Sequence, residues 1–243
     1  MNANGGGIHA GDGSAVTITG ASLNGNEVRV SDRNGEPYAF DAAMRPGGGP
    51  FRMRDVVIDG NAVVADVGSS ENAGPSGSAI DITGRATLTR VRITHNSTVV
   101  RSGDSFADAN GAVYAGDPDG ALIEQSTIAD NEVRAASVSG RARVRGAGLI
   151  NDGVLSIRST EIVGNSGSAS APAGAAEGGG IWNGSMFNPP PIRLTLRDTK
   201  VTNNTVRGSG GVAIAGGGLW TAFPITSFDS LISANSPDDC SGC

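Results

Sequence analysis

The chain has 243 residues, 38 of them glycine and only 4% aromatic, with a formal net charge of −6. Glycine averages roughly 7% of a protein, so this composition excludes a core built on aromatic rings. The acidic balance excludes a general nucleic-acid surface, and no apolar run nears the roughly 20 residues of a membrane-spanning helix. Residues 1–10 (MNANGGGIHA) lack the basic and apolar segments of a secretion leader. The expectation adopted is a piece of a longer exported protein whose leader has been removed.

In chain order, one pattern recurs. A glycine cluster ends in an aliphatic residue, first at Gly5-Gly6-Gly7-Ile8; an alternating segment follows, first at Val16-Thr17-Ile18-Thr19; then an aliphatic residue stands three positions before an asparagine, first at Leu23 and Asn26. Glu27-Val28-Arg29-Val30 closes this unit. The second unit is irregular over Tyr38-Ala39-Phe40 and Arg45 to Pro50, then resumes at Phe51-Arg52-Met53-Arg54. Later alternating segments are Ala86–Thr89, Leu155–Arg158 and Leu194–Arg197, and later clusters end at Ile80, Val113, Leu149, Ile181 and Leu219.

The asparagines are Asn26, Asn61, Asn96, Asn131, Asn165, Asn204 and Asn235. Near-constant self-similarity at such a period marks a solenoid, and period-2 alternation marks half-buried strands. The chain therefore predicts one all-β domain over 1–243, a parallel β-helix of about seven coils with three short strands each. Crossovers between parallel strands favour the right-handed form. Stacked at about 4.8 Å, Ile18, Met53, Leu88, Ile123, Ile157 and Leu196 form an inward ladder. The asparagines sit at a sharp bend, where left-handed backbone suits Asn, and their amides hydrogen-bond from coil to coil. The Gly/Ser/Ala-rich stretches 68–75, 102–108 and 167–177 are expected to be mobile loops along one edge, and Arg141 to Arg145 a solvated strand edge.

The glycine-cluster and aliphatic-x-x-Asn pair resembles the repeat of polymorphic outer-membrane proteins and related bacterial surface proteins of the pectin-lyase-like superfamily. The closing Ile232–Gly242 stretch, with Asp239-Cys240 after the final Asn, is similar to the last coils of secreted bacterial β-helix proteins. The resemblance implies export, a secreted or cell-surface location, and adhesion or shielding. Cys240 and Cys243, the only cysteines, are expected to pair locally or with something beyond this chain.

Enzymes of the superfamily act on polysaccharides, and a pair of acids at suitable spacing would serve a hydrolase. Asp12, Asp81, Asp117, Asp119 and Asp152 follow the glycine clusters; Asp117 and Asp152 are the catalytic candidates, and Asp117, Asp119 and Asp152 are candidates for calcium, a cation of oxygen ligands. The Asp-Asp, Gly-His-Gly and Arg-x-Lys signatures of polygalacturonases are absent. The residues after the clustered aliphatics include Tyr114, Ile150, Trp182 and Trp220, an outward apolar strip for a glycan or protein partner, unless the segment Ser185 to Pro191 covers Trp182. The expected function is a non-catalytic extracellular or cell-surface module, for adhesion, surface structure or glycan or protein binding. The alternatives are a polysaccharide lyase or hydrolase, and a filament subunit stacking end to end through coil ends that lack a capping helix.

Overall fold

The computed structural model describes residues 2–4, 6–32, 38–68, 73–82, 84–186 and 191–243. Among these residues there is no helix, and every strand pairing is parallel. The chain winds as a β-solenoid of about six turns, delimited by the seven asparagine rungs.

A complete turn carries five strands rather than the expected three. One turn runs through Ile80–Ile82, Ala86–Thr89 and Arg92–Thr94, then out along Ser97–Ser102 and back along Ala107–Asn110. Each pairs with its copy in the next turn. The first three belong to three sheets, numbered one to three here, that enclose the main core. The out-and-back pair builds a flange, whose two arms stay separate until Ser166–Glu177, a 12-residue strand that pairs with both. In sheet two the registers stay in phase, with Ile18, Met53, Leu88, Ile123, Ile157 and Leu196 opposite one another in turn, whereas the flange shifts register between Ala73 and Ser76 and between Ala171 and Gly174. All but Ile18 are 1% exposed or less, and each such burial contributes roughly 1.5–3 kcal/mol.

Between the flange arms lies a second, thinner core made almost wholly of Val and Ala: Val63, Ala65, Val100, Ala109, Ala135, Ala142, Val144, Ala169 and Ala176 among others. This overturns the mobile-loop expectation for the small-residue stretches. Residues 167–177 are strand, 102–108 run into a strand whose four residues are all buried, and only 69–72 of the first stretch lie outside the described residues. Small side chains are there because two sheets meet closely, and a larger one would hold the arms apart.

The turns are made by left-handed residues in columns. At the entry to sheet one they are Asp41, Ser78, Gly146, Gly178 and Gly216; between sheets two and three, Gly20, Asp55, Arg90, Gln125, Ser159, Asp198 and Asp229; before the flange, Gly25, Gly60, His95, Asp130, Gly164, Asn203 and Ala234. The last column corrects the reading of the asparagines. The left-handed position is the residue before each ladder Asn, which leaves the Asn side chain to turn inward and bond along the stack.

Each rung does so in the same way. The backbone N–H and the Nδ2 of Asn96 both donate to Oδ1 of Asn131, at 3.0 Å each, and Nδ2 also donates to the Ile58 carbonyl at 3.0 Å. Asn61 to Asn204 are buried. A Cβ added to Gly148 would lie 3.0 Å from Asn165 Nδ2, and one added to Gly180 only 2.9 Å from Asn204 Nδ2. The glycine clusters and the asparagines are thus two sides of one seam, the waist between core and flange. Ala43, Ala79 and Ala112 take the same place in earlier turns, each preceding the strand residues Met44, Ile80 and Val113; up to Gly218 the seam holds nothing larger than a methyl group among the described residues, and only at the last return does Asp239 stand there.

The C-terminal end has no helix, yet it is closed on the ladder side. After Asn235 the chain omits the flange and returns at once, so that Asp239 Oδ1 accepts from Asn235 N (2.9 Å) and Nδ2 (3.1 Å) where the next rung would stand. Cys240–Ser241 then pairs with sheet one, and Cys240 is disulfide-bonded to Cys243.

Candidate functional site

The outer face of sheet one adjoins the outer face of the returning arm, and side-chain contacts cross the angle between them. Alternation puts Asp81, Tyr114, Ile150, Trp182 and Trp220 on the sheet side in one register column. It puts Asp108, Asn110, Arg145 and Glu177 on the arm side, because Ala107, Ala109, Val144 and Ala176 face the flange core. Contacts cross the angle: Trp182 Nε1 donates to Glu177 Oε2 at 3.1 Å, and the Arg145 guanidinium lies 5.5 Å from the Trp182 ring centroid.

The four residues predicted as an outward strip are therefore contiguous but unequally placed. Ile150 is fully buried and Trp182 is 5% exposed, whereas Tyr114 and Trp220 are half-buried. The returning arm covers the former pair, and a strip open along its whole length does not exist. Trp182 and Trp220 stack with centroids 5.2 Å apart and planes within 6°. With Arg145 on the far side, the column reads guanidinium, ring, ring. Of the covering segment, residues 187–190 lie outside the described residues; Met186 N donates to Asp152 Oδ1 at 2.8 Å.

Arg145 is not a solvated edge residue. It is 6% exposed and forms an ion pair with Asp108, itself 3% exposed, while Arg141 at the other end of the strand is exposed. Asp152 is fully buried; its other oxygen accepts from the Tyr114 hydroxyl at 2.8 Å. Burial first, then the Asp152 carboxylate, holds that phenol protonated far beyond its ordinary range. Asp117 closes a turn by accepting from Asp119 N at 2.6 Å, and Asp119 is exposed. The two catalytic candidates, Asp117 and Asp152, thus engage different partners. Among the described residues no set of three or more His, Cys, Asp or Glu side chains is arranged to hold a metal ion.

Asp81, one of the five acids that follow the glycine clusters though not among the catalytic or calcium candidates, is joined here by Asp41, which the sequence pattern did not single out. Burial pushes the Asp81 carboxyl up to about 7, against the pull of Arg45. Asp41 is raised in the same direction, by burial and then by Asp81, with Arg45 3.9 Å away opposing. A carboxyl whose folded pKa lies above its unfolded one binds its proton more tightly in the fold. Its contribution to stability is full below about pH 4 and is lost as pH rises through about 7. The protein is expected to melt at a lower temperature at pH 8 than at pH 5.5, and Asp81→Asn to flatten that slope while raising the pH 8 melting temperature. A slope unchanged in the variant would remove Asp81 as its source.

A second buried polar column also escaped the sequence reading: Asn151 Nδ2 donates to Asn183 Oδ1 (2.7 Å), and Asn183 Nδ2 to Thr221 Oγ1 (2.8 Å). It braces the exit of sheet one beneath the tryptophans. Its only cue in the sequence was an asparagine two positions after the clustered aliphatic, at Leu149/Asn151 and again at Ile181/Asn183. Elsewhere, a groove of about 560 Å³ on the outgoing arm includes Ser102 and Ser137, whose hydroxyls are already bonded to Ser105. Comparisons with protein-family models, curated proteins and solved structures return no match, so the family resemblance rests on the repeat pattern, and the parallel β-solenoid is what the coordinates establish.

Proposed function

We propose that the chain is a saccharide-binding module of a secreted or cell-surface protein, acting through the angle between sheet one and the flange. The observation that carries this reading is the Arg145–Trp182–Trp220 stack, whose last ring is half-buried at the mouth of a polar angle. Sugar rings offer an apolar face to an aromatic ring and hydroxyl groups to surrounding polar side chains, a combination typical of ligand sites with few placed polar groups. The Cys240–Cys243 disulfide supports an oxidising location. Because the chain holds only two tryptophans, binding is readable directly: oligosaccharides should quench the emission of the wild type. Trp220→Ala should weaken binding by up to about tenfold, the worth of one aromatic contact, while loss of its stack on Trp182 lowers the melting temperature by only a few degrees, about 2–4 °C per kcal/mol, and leaves the chain folded. A broad oligosaccharide panel without any response, or an unaffected Trp220→Ala, refutes the module reading.

The raised Asp81 carboxyl favours a second reading, acid–base action on a polysaccharide. It requires release of new reducing or unsaturated ends that Asp81→Asn abolishes.

A further inference from the structure

The indole stack has an unused face. Trp182 covers one face of Trp220; the face turned away from it carries no second ring or cation, and Trp220 Nε1 donates to nothing, among the described residues. The wall beside the rings explains the difference between them. Along the returning arm Asn110, Arg145, Glu177 and Ala215 stand opposite one another turn by turn. Along sheet one Tyr114, Ile150, Trp182 and Trp220 do the same. Glu177 stands five residues before Trp182 and closes over its indole through the hydrogen bond at 3.1 Å. Ala215 holds the same place before Trp220 and has only a methyl group to offer. Trp182 is accordingly 5% exposed, whereas Trp220 is half-buried.

One turn further the wall is missing. After Asn235 the chain omits the flange and returns at once to Cys240–Ser241, so the next register neighbour of Trp220 is Ser241, half-buried and without a ring. The Ser241 hydroxyl has no hydrogen bond among the described residues. The end of the column therefore offers an aromatic face, an indole N–H donor and a hydroxyl that both donates and accepts. A pyranose ring matches this set, with an apolar C–H face for the indole and hydroxyl groups for the polar atoms at its edge. Only one such face is on offer, because Glu177 covers Trp182. Charge narrows the ligand further. Glu177 lies one register step from Ala215, and Arg145, beyond Trp182, is already paired with Asp108. An acidic sugar would bring its carboxylate to about one rung, roughly 4.8 Å, from Glu177 with no free guanidinium to receive it, and a neutral sugar avoids that repulsion.

We propose, building on the saccharide reading above, that the ligand is a neutral hexopyranose unit held singly at the open end of the indole column. Its apolar face lies on Trp220, one hydroxyl accepts from Trp220 Nε1, and another bonds to the Ser241 hydroxyl. Ala215 sets the specificity by its small size: a longer side chain there would take the indole N–H as Glu177 does at Trp182.

Ligand-observed NMR titration of the intact chain tests this with methyl β-glucoside, methyl β-galactoside and galacturonate. The better neutral glycoside should bind at least about threefold more tightly than galacturonate, the worth of one exposed like charge a rung away. Ser241→Ala should weaken that glycoside by about two- to tenfold, the worth of one hydrogen bond. Two blocking variants fill the place from either side: Ala215→Glu copies the wall of Trp182, and Ser241→Tyr extends the ring column. Each should weaken the glycoside at least about tenfold, and Ala215→Glu should move the tryptophan emission to the blue. Loss of binding in either blocking variant, with its melting transition retained, supports the subsite. Unchanged affinity in the folded blocking variants, an unaffected Ser241→Ala, galacturonate bound as tightly as the neutral glycosides, or no glycoside binding beside a responding oligosaccharide panel each overturns it. The saccharide reading then still stands if Trp220→Ala weakens the response of that panel. Glycosides and panel both silent overturn the saccharide reading itself.

Discussion

Asn131→Ala is expected to destabilise the protein by about 3–5 kcal/mol, since the change strands several buried polar groups at once. Asn131 Oδ1 accepts from both the backbone N–H and Nδ2 of Asn96, and its own Nδ2 donates to the Ile93 carbonyl and to Asn165 Oδ1. Alanine leaves the Asn96 N–H buried without an acceptor in the middle of the stack. At this chain length, 1 kcal/mol corresponds to roughly 2–4 °C, so the melting temperature should fall by on the order of 10 °C. Asn26→Ala supplies the contrast. Asn26 donates into the ladder, through its N–H and Nδ2, to Asn61 Oδ1, and its loss should cost only about 1 kcal/mol. Asn131→Asp, which keeps an acceptor, should fall between the two. Equal losses at Asn26 and Asn131 in denaturant titrations would refute the ladder as the source.

Arg145→Ala should cost a similar amount, about 3–5 kcal/mol, for a different reason. It leaves the Asp108 carboxylate buried and unpaired, which is far worse than never having had the pair. The Asp108→Ala/Arg145→Ala double variant should therefore be more stable than Arg145→Ala alone. Removing the guanidinium also uncovers one face of Trp182, so its emission should shift to the red. Arg143, two residues earlier, is half-buried and lies 5.2 Å from the Phe106 ring; Arg143→Ala should cost under about 1 kcal/mol. A double variant less stable than Arg145→Ala would mean that Asp108 is held by something other than this ion pair.

How far the sequence reaches can be judged from particular residues. Leu88 and Ile123 were legible as one column because the chain returns to the same phase every 34–35 residues there, and phase alone fixes which faces point inward. The asparagine ladder was legible for the same reason. The flange was only half legible. Its outgoing arm was legible as the unit's third strand, from Glu27–Val30, but the returning strand Ala107–Asn110 carries small residues whose alternation is too faint to distinguish a tight second core from a loop. Burial of Arg145 and Ile150 was equally invisible, because a strand's alternation says which side a residue takes but not whether another layer covers that side.

The amino-acid order by itself determined the repeat, the direction of each strand's inward face, the rungs Asn26 to Asn235 and the local pairing open to Cys240 and Cys243. These follow from short-range spacing, which survives any placement of the coils. The tertiary structure alone decided that Asp41, Asp81, Asp108, Tyr114, Arg145 and Asp152 share one angle. Their side chains come from different turns and from two sheets, and the winding brings them together pair by pair: Asp41 with Asp81, Tyr114 with Asp152, and Arg145 with Asp108. With it came the low-dielectric surroundings that hold Asp81 protonated to about 7.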